Sequence, residues 1–150
     1  MSKWYEGSNI IECELKTIKL SFDDYGQHYA DIIRLMPGLT SVDLIEQGND
    51  YIIIKTNEGI MKRTNISKKD TDNSLIIEFD EEYQTVKGIK VISHTVNTFE
   101  SDNHNVNHHL VISDVSADGL LGFLYRQFGK SSIGVATLNS YKTFFESKSW

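Results

Sequence analysis

Five histidines and a lone cysteine are the side chains whose chemistry works nearest neutral pH. His94 falls in the apolar stretch Ile89 to Phe99 and His108 in Val106 to Val115. If the chain turns about Asp102 between them, His94 shares a face with Ile92 and Val96, and His108 shares one with Leu110 and Ile112. The two imidazoles are then diagonal cross-strand neighbours facing inward. A pair so placed could bind a ligand oxygen or move a proton. A slip of register by one residue sends them to opposite faces, and a merely satisfied or solvent-facing pair is the competing reading. His104, His108 and His109 invite a metal reading, but on a strand His104 and His108 stand about 13–14 Å apart and His109 points the other way, so no metal site is expected.

Cys13 excludes an intramolecular disulfide and a cysteine-based zinc site, and its apolar parity reads as a small buried hydrophobe. Glu12 and Glu14, like Glu78 and Asp80, fall on wet parities and read as solvated surface rather than an acid/base pair. Arg63, opposite in parity to Ile60, is expected outside. Arg126, beside Tyr125, is a candidate partner for an acidic ligand group. A net charge of -6 with scattered Lys and Arg opposes nucleic-acid binding. No apolar run approaches the roughly 20 residues that span a bilayer, so no stable membrane insertion is expected. The first residues lack an apolar segment with a small-residue cleavage site, and a cytoplasmic address follows as the expectation.

These residues need elements to hold them. Asn9 to Leu20 alternates, with Ile11, Cys13, Leu15 and Thr17 on one parity, and reads as strand one. Ser21 is placed to cap a short helix carrying Phe22, Tyr25, Tyr29, Ile32 and Met36, ended by Pro37-Gly38. A meander follows: Leu39 to Glu46, Tyr51 to Lys55, Ile60 to Ser67, Ser74 to Phe79, Ile89 to Phe99 and Val106 to Val115, separated by turn-forming groups such as Asn57-Glu58-Gly59. Asp118 to Lys148 then reads as one long amphipathic helix with Leu121, Leu124, Phe128, Val135, Leu138 and Phe145 in its stripe. Such a helix needs the preceding sheet as its partner. At 150 residues the chain fits one domain. The order predicts an α+β fold: about seven antiparallel strands in a curved sheet wrapped around a long C-terminal helix, with short helical segments between strands one and two.

That order resembles the helix-grip fold of the START-like (SRPBCC) superfamily, which includes polyketide cyclases, lipid-transfer domains and the birch-pollen-allergen group. Three local pieces are similar as well: Pro37-Gly38-Leu39 at the exit of the first helical region, Thr85-Val86-Lys87-Gly88-Ile89 before the sixth strand, and Gly119-Leu120-Leu121-Gly122-Phe123-Leu124 at the start of the terminal helix. The resemblance covers roughly Asn9 to Glu146. It implies a cavity between sheet and helix for a small apolar molecule such as a lipid, isoprenoid or polyketide, and it implies no cofactor. The superfamily shares architecture more than residues, so function stays open among three classes. The first is a binder or carrier. The second is a cyclase- or hydratase-like enzyme using His94, His108 or Tyr125. The third is an interaction protein, similar to domains that serve chaperone ATPases, for which a protein partner is possible.

Strand parity then nominates the walls. Ile52, Ile54, Ile60, Thr64, Leu75, Ile77, Phe79, Ile92, Val96, Leu110 and Ile112 are expected to face the helix, whose Leu121, Leu124, Tyr125 and Phe128 supply the opposite wall. The ligand-binding set is therefore Ile77, Phe79, His94, Val96, His108, Leu110, Leu121, Leu124, Tyr125 and Phe128, with Thr64, His94, His108 and Tyr125 as its polar members. A mouth is expected where the Asn57-Glu58-Gly59 turn, the segment Asp80 to Gly88 carrying Tyr83 and Val86, and the junction Ser116-Ala117-Asp118 meet at one end of the sheet.

Overall fold

A computed structural model describes residues 3–117 and 130–147. The chain opens with β1 (Lys3–Ile11), bends at residues 12–14 and enters α1 (Leu15–Ser21), a 3-10 turn (Phe22–Asp24) and α2 (Tyr25–Ile33). A meander follows: β2 (Val42–Gln47), β3 (Ile52–Thr56), β4 (Gly59–Asp70), β5 (Ser74–Thr85), β6 (Lys90–Asp102) and β7 (Asn105–Ala117). The described part of the terminal helix is α3 (Lys130–Glu146).

Strand one lies earlier than the alternation implied. Ile11, Cys13 and Leu15 are all buried, so burial at every second residue runs on through the bend, but from Leu15 the spacing becomes helical: Leu15, Ile18 and Phe22 turn inward. Ser21 is no side-chain cap, since it closes α1 and its hydroxyl donates to the Thr17 carbonyl. β5 continues to Thr85, so the expected long connection from Asp80 is mostly strand and only residues 86–89 turn. Gly88 takes φ 83° there, a conformation suited to glycine.

The strands form an antiparallel sheet of order β1-β7-β6-β5-β4-β3-β2. Joining the two edges through α1 and α2 carries the chain across one face of the sheet, where α3 also packs, on β1, β7 and α2. Bulges bend the sheet around these helices, notably where Asn65 in β4 and Asp114 in β7 adopt positive φ. The enclosed core is rich in rings: Phe22, Tyr29, Phe99, Tyr141 and Phe145 pack with Ile11, Ile52, Ile54, Leu75 and Ile77. In α3 the buried stripe is Leu138, Tyr141 and Phe145, at steps of three and four. Val135 is one position out of phase and half exposed, not in the stripe. The curved antiparallel sheet with its C-terminal helix is the helix-grip arrangement of the α+β class.

Candidate functional site

Between the inner face of β4–β7 and helices α2 and α3 lies a cavity of about 280 Å³. Ile32, Ile33 and Met36 at the end of α2 form one wall, and Ile133 and Tyr141 of α3 form another. Met61, Phe79, Val91, Leu110, Ile112 and Val115 come from successive strands. Each strand sends alternate residues inward. The bulge at Asp114 resets the parity of β7, so Ile112 and Val115 both reach the cavity. The β3–β4 and β5–β6 turns meet at this end of the sheet through a Val86 N–H to Glu58 carbonyl bond, and the end of β7 at Ala117 pairs with Val91 beside them. The expected gathering of these segments at one end is therefore present up to Ala117.

The polar centre of the wall is an ion pair whose arginine was expected outside by strand parity. Arg63 and Glu81 are direct partners in the β4–β5 register, and both side chains line the cavity. The Arg63 Nε–H donates to Glu81 Oε1 at 2.9 Å, and the two side chains retain 11% and 21% exposure. The guanidinium also lies over the Phe79 and Tyr29 rings, 4.4 and 4.7 Å from their centroids. Such stacking contributes about 2 kcal/mol when desolvated. Burial works against the Arg63 charge, but Glu81, Tyr141 and Tyr29 more than offset it and hold the guanidinium above its ordinary value. Burial pushes the Tyr141 phenol up to about 12, with Arg63 opposing, so Tyr141 presents a neutral hydroxyl beside the guanidinium. Arg63 has five N–H donors and spends its Nε–H on Glu81, leaving a cationic fork in a largely apolar wall.

Tyr83 closes the turn end. Its hydroxyl lies 3.0 Å from Thr56 Oγ1, which accepts from the Glu58 and Gly59 N–H groups, so the tyrosine is tied to a rigid corner. Sequence reasoning read Tyr83 as a loop residue because it ended β5 at Phe79.

The histidines separate. The hairpin turns at Asn103 and His104, with Asp102 opposite Asn105, so His108 pairs with Phe99. The sum of paired positions differs from the expected one by an odd number, which inverts the relative facing of the two strands. In β6, Val91, Ser93, Thr95 and Asn97 line the cavity, and His94 and Val96 take the opposite parity. His94 is bound on that outer face between Asp80 and Glu78, at 2.7 and 2.6 Å. The diagonal inward pair does not exist. Ile92 shares that outer parity of β6 and is exposed; in β4, Ile60 and Thr64 are exposed, Thr64 just ahead of the Asn65 bulge, while Met61 and Arg63 take the inward positions.

His108 does face inward, fully buried, with its ring stacked on Phe99 at 4.4 Å and edge-on to Tyr141 at 4.8 Å. Burial, helped by His109, pushes its imidazole down to about 3, so it is neutral at any physiological pH. Of the other nominated residues, Phe79 and Leu110 line the cavity and Ile77 lies in the core beside it. Leu121, Leu124, Tyr125 and Phe128, with Arg126 and the segment Gly119 to Leu124, fall outside the described residues. Among the described residues no group of three or more His, Cys, Asp or Glu could hold a metal ion, and no helix is long and apolar enough to cross a membrane.

The sequence matches no family model and no curated protein sequence. Solved structures do share the fold. A STAR-related lipid transfer protein from Xanthomonas axonopodis matches at a TM-score of 0.60 with 10% identity, over 93% of this chain and 84% of that one. The lipid transfer and protein localization domain of human StarD13 matches at 0.55 with 11% identity, over 93% and 75%. Protein Ms6760 from Mycobacterium smegmatis matches at 0.65 with 10% identity, over 95% and 90%. At these identities the likeness is one of fold: the chain shares the helix-grip fold of these structures.

Proposed function

We propose that this chain binds and carries a compact, largely apolar small molecule in the cavity between sheet and helices. The observation that carries the reading is the chemistry of the wall: mostly hydrocarbon and ring faces, with a few polar groups centred on the Arg63–Glu81 pair. Pockets that hold small molecules are mostly apolar with a few placed polar groups. The ion pair is neutral overall, so it places no net charge against an uncharged ligand, while the guanidinium fork can donate to an oxygen at the ligand's polar end.

Size narrows the class. About 280 Å³ sits at the low end of the roughly 300–1,000 Å³ typical of small-molecule pockets. A single ring system or one short chain fits such a space; a two-chain phospholipid does not. That two structures of the same fold are lipid transfer proteins by name supports binding of an apolar ligand. The imidazole pair that would have favoured proton transfer is lost with the outward placement of His94.

The test is native followed by denaturing mass spectrometry of freshly purified protein, with titration of ¹⁵N-labelled protein by 2-ethylnaphthalene. A small adduct released on unfolding, or saturable shifts confined to cavity residues such as Thr95, Leu110 and Ile112, is the expected result. No adduct, together with no saturable shift at those residues, would sink the reading.

A further inference from the structure

Asn97 is a buried polar lining residue with hydrogen-bonding capacity left over. It sits in β6, paired with Leu110 of β7 and Ile77 of β5, lines the cavity and is 1% exposed. Other polar groups of the wall are engaged within the protein: the Thr137 hydroxyl donates to the Ile133 carbonyl, the Arg63 Nε–H donates to Glu81, and the Tyr83 hydroxyl meets Thr56. Asn97 Oδ1 lies 2.8 Å from His108 Nε2, while Asn97 Nδ2 and His108 Nδ1 have no hydrogen-bond partner.

The placement of the amide fixes the direction of the bond. A neutral imidazole has one N–H and one bare nitrogen, and an amide oxygen only accepts. Asn97 Oδ1 stands against His108 Nε2, so Nε2–H donates to the carbonyl oxygen and the unpartnered Nδ1 carries the lone pair. The amide cannot rotate by half a turn without setting its NH2 against that N–H. His108 is itself clamped between Phe99 and Tyr141, so the asparagine is held in turn by a rigid ring. The NH2 is thus a fixed donor with no protein acceptor, on a residue of an apolar wall.

We infer that Asn97, oriented by His108, donates a hydrogen bond to the bound molecule, and that the ligand carries a carbonyl-type oxygen at the end lying against β6. The inference rests on the binding reading above and deepens it. Arg63 and Asn97 are both donors, from β4 and β6, and both favour oxygen acceptors on a ligand over hydroxyl or amine donors. An oxygenated ring compound, a ketone or quinone, fits that pattern better than a plain hydrocarbon. Asn97 would act as a specificity residue, and His108 as the residue that positions it.

A matched pair of probes tests this: 2-acetylnaphthalene and 2-ethylnaphthalene, alike in shape and differing in one oxygen, titrated into ¹⁵N-labelled protein. Partition into hydrocarbon favours the ethyl compound, so the expected preference of the protein for the ketone, about tenfold, runs against solvation. The Asn97 side-chain amide protons should move downfield with the ketone and not with the ethyl compound. In Asn97→Leu the preference should fall to within about twofold while 2-ethylnaphthalene still binds. Should the lone imidazole left in that variant impair folding, Asn97→Leu with His108→Phe keeps the wall filled and leaves no orphan, and the same loss is expected. Equal binding of the two probes by the native protein, or a ketone preference that survives the substitutions, overturns the inference while leaving the cavity a binding site. If neither probe shifts cavity residues, the binding reading falls and the inference falls with it.

Discussion

Arg63 and Glu81 face each other across the β4–β5 ladder and join by a 2.9 Å bond inside a largely apolar cavity. Taking two charges out of water is expensive, and a buried pair commonly does no better for stability than well-packed hydrocarbon of the same volume. If the pair serves a ligand rather than the fold, the two roles separate by mutation. Arg63→Met alone strands the Glu81 carboxylate and should cost about 2–3 kcal/mol, somewhat below the cost at a fully buried site because Glu81 keeps some exposure. Arg63→Met with Glu81→Leu should return to within about 1 kcal/mol of the native protein or exceed it. Urea unfolding of the three proteins reads this directly. A double variant as unstable as the single one would mean that the pair holds the fold together.

Filling the cavity should separate binding from stability. Ser93 lies in β6 beside Glu81 and lines the cavity, so the aromatic ring of Ser93→Phe enters empty space and suits a strand. Stability should change by less than about 1 kcal/mol, since overpacking strain needs neighbours to push against. Binding of 2-ethylnaphthalene should weaken at least about tenfold. Undiminished binding in this variant would place the ligand elsewhere.

The sheet and its helices were legible in the sequence because their patterns are local. Leu75, Ile77 and Phe79 alternate cleanly and all turn inward, as read. Parity failed where it depended on something distant. Neither face of β4 reads as apolar, since Ile60 sits on one and Met61 with Arg63 on the other. Only the register that sets Arg63 opposite Glu81 makes the charged face the inner one. The position of the β6–β7 turn decided the fate of two histidines, and the turn is made by Asn103 at φ 59°, a left-handed conformation that asparagine tolerates. Asn97 gave no signal at all, because its importance lies in an unfilled bond beside His108 rather than in its type or spacing.

Cys13 should be chemically silent in the folded protein. Burial, with Glu146 and Glu14 nearby, pushes its thiol up to about 11, so at pH 8 only about one molecule in a thousand carries the reactive thiolate. Labelling by a disulfide reagent should be at least about a hundredfold faster in 6 M guanidinium than in buffer. Rapid labelling of the native protein would show that the bend at residues 12–14 opens readily.

His94 should make stability depend on pH with a particular sign. Both ring nitrogens meet carboxylates, Asp80 directly across the ladder and Glu78 on the diagonal. The Asp80 hydrogen bond, with Glu78 adding and partial burial opposing, raises the imidazole above its ordinary value near 6.5. In turn His94, with Asn65, lowers the Asp80 carboxyl. A raised histidine stabilises the fold fully below the unfolded value of about 6.5, and the contribution fades as pH climbs through the folded value. A lowered carboxyl contributes above about 3.9, and that share fades as pH falls through its folded value. The two overlap most between about pH 4 and 6.5. Both carboxylates are nearly half exposed, so solvent screening limits the effect to about 1 kcal/mol or less. His94→Gln should therefore be less stable than the native protein at pH 5.5 and close to it above pH 8, and 1 M NaCl should shrink the gap at pH 5.5. A gap that widened toward alkaline pH would mean that the neutral imidazole, and not the ion triad, is what the outer face of the sheet holds in place.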